Sequence, residues 1–176
     1  FIHVRDIMPK VDEKIEKKAE PKIKEIVKPK QKLLVQVQKD SNDKKGARTS
    51  THIKLTGRYI ILLPQTSIVT ISQKITDEIE KERLIRLVKS NLPNGMGAIV
   101  RTSAEKKDEK IIKNDIKQLN EKWNEIYEKF QQCKDEPQLL FRSPNIVEKI
   151  ILDLPDEKID SIISNDKKII DKINSI

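Results

Sequence analysis

The sequence predicts an α+β fold, and three of its stretches carry that prediction. Lys32 to Gln38 reads Lys-Leu-Leu-Val-Gln-Val-Gln, with the alternation of a half-buried strand. Gly57 to Leu63 is a short, Ile-rich apolar run stopped by Pro64, as a buried strand requires. Ile112, Ile116, Leu119, Trp123, Ile126 and Phe130 step by 4, 3, 4, 3 and 4, which lines one face of a helix.

The other elements follow in chain order. Phe1 to Ile7 alternates weakly and is expected to be a strand. Met8 to Lys32 is rich in Lys and Glu and holds Pro9, Pro21 and Pro29. That composition predicts a loop insertion, with one short helical turn near Ile23 to Val27. In the strand that follows, Leu33, Val35 and Val37 share one face, opposite Gln36 and Gln38. Asp40 to Gly46 is a turn, and Thr51 to Leu55 the next strand. Ser67 to Ser72 is a further strand after Gly57 to Leu63. Thr76 is expected to cap a helix through Ser90, with Asp77 and Glu78 in its electropositive first turn. Leu84, Leu87 and Val88 form its apolar face. Pro93 and Gly95 end that element, and Gly97 to Thr102 returns as a strand. The longest helix runs from Asp108 to Cys133. Its stripe packs on the domain's own sheet or, as the alternative, against a second copy as a coiled coil. After Pro137, a helix near Ile146 to Leu152, a short strand at Ser161 to Ser164 and a helix from Asn165 complete the chain.

Composition narrows the function classes. The 176 residues carry a net charge of +8, and only 3% are aromatic. The excess is uneven, with 15 Lys and Arg against 8 Asp and Glu up to Thr56, and 21 against 20 beyond it. A clustered cationic surplus attracts polyanions, with nucleic acid first and an anionic membrane second. The competing reading is a lysine-rich composition that only maintains solubility. The single cysteine, Cys133, excludes an internal disulfide and a Cys-based metal site, and fits a reducing cytoplasm. No apolar run approaches the ~20 residues that span a bilayer. The start on Phe1, inside a strand pattern, leads us to expect a fragment with a cytoplasmic location.

Phosphodiester hydrolysis through metal ions needs fixed carboxylates converging on Mg²⁺. The acidic residues here are interleaved with Lys along helices, and His3 and His52 are isolated, so no catalytic residue is expected. The strongest candidate for chemistry is Gly95-Met96-Gly97-Ala98-Ile99-Val100-Arg101-Thr102-Ser103. A glycine-bounded strand delivers an arginine and a threonine side by side. A guanidinium fork with a neighbouring hydroxyl suits a terminal phosphate. A solvated strand end is the alternative.

Several stretches in consistent order resemble the ribonuclease E/G family of bacterial endoribonucleases. They are Phe1-Ile2-His3-Val4-Arg5-Asp6-Ile7, Lys45-Gly46-Ala47-Arg48-Thr49-Ser50-Thr51 and Leu55-Thr56-Gly57-Arg58-Tyr59-Ile60-Ile61-Leu62-Leu63-Pro64. Ile71-Ser72, Leu92-Pro93-Asn94-Gly95-Met96-Gly97 and the Arg101-Thr102 pair follow. The resemblance implies part of an OB-type, ribosomal-protein-S-one-like RNA-binding barrel over residues 1–56. It implies a 5′-sensor subdomain over 57–143 and the C-terminal half of a ribonuclease-H-like subdomain over 144–176.

By the same resemblance, Arg101 and Thr102 grip the 5′-monophosphate of an RNA, and Gly57 and Ile61 line the pocket. Gly57 either lets a phosphate or the backbone approach closely or is a bulge glycine at a sheet bend. Gln73 and Lys74 stand where the family often carries an arginine pair. Phe1 matches an aromatic that stacks on a base, against a plain core role. Lys45 matches a lysine that touches RNA, against a solvated turn. The family's magnesium-binding aspartates and zinc-linking cysteines correspond to positions beyond Ile176. No cofactor is therefore expected within these residues, while magnesium and zinc are expected in the intact enzyme. The expected function is RNA binding and 5′-monophosphate sensing within an endoribonuclease that cleaves single-stranded RNA in processing and decay. The intact enzyme is expected to be a homo-oligomer, with no membrane partner. The alternative is a basic RNA-binding or protein-interaction module without 5′-end preference.

Overall fold

Ile60 and Leu62 alternate with Ile61 and Leu63, and that alternation sets the two faces of the central sheet. Ile60 and Leu62 are fully buried, whereas Ile61 and Leu63 are half-buried on the opposite face. The computed structural model describes residues 1–7, 22–134, 136–144, 146–153 and 161–174. Strands β1 (Gln36–Lys39) and β2 (Arg48–Ser50) form an antiparallel pair. Strands β3 (Leu55–Thr56), β4 (Ile60–Leu63), β5 (Val69–Ile71) and β6 (Gly97–Val100) form a second sheet in the order β3-β4-β6-β5. Pairing is antiparallel except between β5 and β6, which are parallel. The architecture is α+β with open sheets, and among the described residues no sheet closes into a barrel.

Helix α1 (Ile23–Ile26) is the short turn expected near Ile23, and most of the Met8–Lys32 insertion lies outside the described residues. Helix α2 (Glu78–Asn91) makes the β5-to-β6 crossover. It is capped one residue later than expected. Asp77, not Thr76, accepts from the backbone N–H groups of Ile79 and Glu80. Helix α3 (Glu109–Gln132) starts at the Asp108 cap. Its residues Ile112, Ile116, Leu119, Trp123 and Ile126 are buried. Helices α2 and α3 both cover the face of the sheet that carries Ile60, Leu62, Ala98 and Val100. The stripe is thus spent on the chain's own sheet. Each large apolar side chain buried there contributes roughly 1.5–3 kcal/mol.

Several expected strands are shortened or displaced. The chain from Phe1 to Ile7 is not a strand. Ile2 bridges Thr49, and a 3-10 turn spans Val4–Asp6 because the His3 ring accepts the Arg5 N–H. Of the Lys32–Gln38 stretch, only the end is paired. Leu34 packs on the core, while Val35 and Val37 are 42% and 55% exposed. The Thr51–Leu55 strand is replaced by β2 and β3 on either side of it. Between them, the Gln36 side-chain amide accepts the Lys54 N–H and donates to its carbonyl, a substitute for strand pairing. Strand β6 stops at Val100, and Thr102–Ala104 is a 3-10 turn. Helices α4 (Ile146–Asp153) and α5 (Lys167–Ile173) pack against each other. The strand expected at Ser161–Ser164 does not form, and Ile163 is 92% exposed.

Candidate functional site

The end of the larger sheet is built where β6 runs out beside the start of β4. Ile60 pairs with Val100, so Arg101 follows directly at the sheet end, opposite the Gly57–Tyr59 turn. The Arg101 Nη1 donates to the Gly57 carbonyl at 2.7 Å. Its own amide donates to the Tyr59 carbonyl at 2.9 Å, and the Ser103 hydroxyl donates to the Arg58 carbonyl. Thr102 is exposed at the start of the 3-10 turn. Arg101, Thr102 and Gly57 are thereby gathered at one end of the sheet, and Ile61 lies near it, one residue into β4. Strand β5 ends at the same edge, since the Ser72 N–H donates to the Val100 carbonyl. The exposed Gln73 and Lys74 follow Ser72 at that end, and Arg58 lies in the β3–β4 turn that Ser103 contacts. The end is therefore cationic and presents donors suited to an anion.

Gly57 has a specific steric cause. A Cβ there would stand 2.6 Å from the Asp115 carboxylate oxygens and 2.8 Å from Leu119 Cδ1. A side chain at position 57 would therefore displace the Asp115 carboxylate and the Leu119 side chain of α3. The group that comes close to Gly57 is the Asp115 carboxylate, which neither reading of this glycine anticipated. Gly97 is constrained in the same way, because a Cβ would overlap the Ile68 and Thr66 carbonyls.

Behind the site, Glu80 anchors the segment that follows Arg101-Thr102. Its carboxylate accepts from Arg83 Nε and Nη2, both at 2.8 Å, and from the Lys106 N–H at 2.8 Å. Arg83 also donates to the Lys107 carbonyl. Lys106 has a φ of 57°, an uncommon backbone state for a residue with a side chain, and the Glu80 bond secures it. The Arg83 fork is the main reason that the Glu80 carboxyl is lowered to about 2. Burial opposes the shift, and the Lys106 N–H reinforces it.

Phe1 and Lys45 lie elsewhere, on the small sheet. Phe1 is 77% exposed, which excludes the core role, and its ammonium donates to the Ala47 carbonyl. Lys45 is exposed in a turn closed by Asn42. The structure does not bring these two to the Arg101 end through any described hydrogen bond. His3 caps a turn and His52 Nε2 meets the Arg5 carbonyl, so both have structural partners. Among the described residues, no three or more His, Cys, Asp or Glu side chains are grouped as a metal ion requires. Also among them, no helix is long and apolar enough to cross a membrane. Sequence reasoning missed Asp115, Glu80 and Ser103. The available signal for Asp115 was its position beside Ile116 and one turn from Ile112 and Leu119, where a carboxylate flanks a buried stripe.

Comparison with known proteins bears on the same region. The chain is 37% identical over 154 residues to ribonuclease E of Nostoc, covering 88% of this chain and 22% of that protein. It is 33% identical over 166 residues to ribonuclease G of Escherichia coli, covering 92% and 34%. A ribonuclease E/G-like protein of Pyropia yezoensis is 37% identical over 164 residues, with coverage of 93% and 31%. The chain thus spans about a fifth to a third of the length of these relatives. Residues 54–176, which include the whole Arg101 end, match the family model, and the chain belongs to the ribonuclease E/G family.

Proposed function

We propose that these residues form the RNA-binding and 5′-monophosphate-sensing portion of an endoribonuclease acting on single-stranded RNA. The observation that carries this reading is Arg101 at the sheet end. It is oriented by the Gly57 carbonyl and is followed by the exposed Thr102. A guanidinium and a hydroxyl together match a terminal phosphate, and Lys74 adds charge at the same edge. In this reading residues 57–143 are the sensor subdomain. Residues 1–56 contribute part of an OB-type surface on which Phe1 stacks a base and Lys45 meets the backbone. Residues 144–176 belong to a ribonuclease-H-like subdomain. Strand scission, and the magnesium and zinc expected of the intact enzyme, are not assigned to these residues. A homo-oligomeric, cytoplasmic parent enzyme completes the proposal.

The test is fluorescence anisotropy with a short single-stranded RNA bearing a 5′-monophosphate or a 5′-hydroxyl, at one salt concentration. Wild type is expected to prefer the monophosphate. Charge-assisted hydrogen bonds are worth ~1.5–3 kcal/mol each, so Arg101→Ala should weaken monophosphate binding about ten- to a hundredfold. Equal affinity for both ends in both proteins would leave a basic RNA-binding module without end preference.

A further inference from the structure

The Gly57–Ile60 turn is bonded on both sides of its peptide planes. On one side, Asp115 Oδ1 accepts the Arg58 N–H at 3.3 Å, and Oδ2 accepts the Tyr59 and Ile60 N–H groups at 2.9 and 3.0 Å. On the other side, the Gly57, Arg58 and Tyr59 carbonyls accept from the Arg101 guanidinium, the Ser103 hydroxyl and the Arg101 amide. Each of these carbonyls belongs to the same peptide unit as one of those N–H groups. Three consecutive peptide units therefore bridge the Asp115 carboxylate to the Arg101–Ser103 segment.

We infer that Asp115 is a positioning residue for the anion-capturing guanidinium of Arg101, acting through these three peptides. The physical route is direct. A carboxylate bonded to three N–H groups fixes the planes of those peptides, so it fixes where their carbonyls point. Hydrogen bonds in series also polarise one another, which strengthens the carbonyls as acceptors. The Gly57 carbonyl holds the Arg101 guanidinium at the end of the sheet. Only a glycine at position 57 allows the carboxylate to come this near. Helix α3 thus sets the geometry of a site to which it contributes no ligand. The inference rests on the phosphate-sensing reading for its consequence, but not for its geometry.

Two readouts test it on the full 176-residue chain. One is the Arg101 Nη–Hη resonance of the arginine-labelled protein, from the group that donates to the Gly57 carbonyl, assigned with Arg101→Ala. The other is the ratio of affinities for the 5′-monophosphate and 5′-hydroxyl RNAs. Asp115→Asn keeps the shape but places an amide against N–H donors. We expect the Arg101 resonance to move to the solvent-exposed arginine position. The affinity ratio should fall about tenfold, the size of one charge-assisted hydrogen bond lost at the phosphate. A purely structural role would lower the melting temperature and weaken both RNAs equally, with the ratio intact. Should Asp115→Asn fail to fold, Asp115→Glu displaces the carboxylate by one methylene and the same two readouts decide. An unmoved resonance with an unmoved ratio in a folded variant overturns the inference. If wild type shows no end preference, the sensing reading falls alone, and the Arg101 resonance still judges Asp115.

Discussion

Residues 55–132 and the first fifty residues solve different problems. In the former, β3 to β6 and helices α2 and α3 share one core in which Ile60, Leu62, Leu84, Val88 and Ile112 are fully buried. In the latter, Ser50 is the only buried residue among those described. Its two strands slip register between Val37 and Lys39, and its apolar side chains Phe1, Val35 and Val37 are largely exposed. The polar bonds follow the same division. Glu80 and Asp115 each hold backbone groups of a second element at close range. The main ion pair of the small sheet, Asp6 with Arg48, leaves the arginine side chain 48% exposed. A rigid body can hold a guanidinium within the narrow geometry that a phosphate needs. A shallow, solvated pair of strands suits the tolerant contacts made along a single strand.

Mutation of the two cores gives the largest expected contrast. Leu84→Ala should cost ~2–5 kcal/mol, because a fully buried leucine leaves a cavity the sheet cannot close. Val37→Ala, at a side chain 55% exposed, should stay within ~0.5 kcal/mol. Urea titrations of both variants measure the difference directly. Equal losses would mean that the small sheet is as tightly coupled to the body as the body's own helices, and the contrast would break.

The Glu80 anchor sharpens the comparison by pH. Its carboxyl is lowered from 4.5 to about 2 in the folded chain. A depressed carboxyl contributes stability that is fully present above the unfolded value and is lost as pH falls through the folded one. The shift corresponds to about 3 kcal/mol at neutral pH. Glu80→Gln should therefore be much less stable than wild type at pH 7, and the gap should narrow between about pH 4.5 and 2. Urea titrations of both proteins across that range check it. A gap that is constant with pH would assign the loss to packing rather than to the carboxylate. The Asp6–Arg48 pair, whose arginine is half exposed, should contribute about 1 kcal/mol under the same conditions.

The sequence disclosed these two regions unevenly, for a physical reason. Where apolar period and burial coincide, as in α3 and β4, the elements were legible, the helix to within one residue at each end and the strand to within three. Where little is buried, hydrophobic period carries little information, and the strands at Phe1–Ile7 and Ser161–Ser164 were misread. The Leu33-Val35-Val37 row was misread for a related cause, since it is Leu34 that meets the core. Arg101, Thr102, Gly57 and Ile61 were singled out through resemblance to a family pattern, and the structure brings Arg101 and Gly57 into contact. Asp115 escaped because its partners are backbone amides 55 to 57 residues away. No side-chain type marks such partners in a sequence.

The smallest expected effect is the one that separates the regions functionally. On the RNA-binding reading, Lys45 meets a phosphate along the strand and not its end. Neutralising one such contact should reduce the slope of log affinity against log salt by about 0.7 for a single strand. Lys45→Ala should therefore weaken both the 5′-monophosphate and the 5′-hydroxyl RNA by the same modest factor, most visibly at low salt. The ratio between the two should not move, because Lys45 is exposed in the Asn42 turn and no described hydrogen bond ties it to the Gly57–Ile60 plate. Arg101→Ala should do the reverse, erasing the ratio while leaving much of the salt dependence. A change of ratio in Lys45→Ala would show that strand contact and end capture are coupled. The division between a rigid sensor and a tolerant surface would then have to be redrawn as one continuous site.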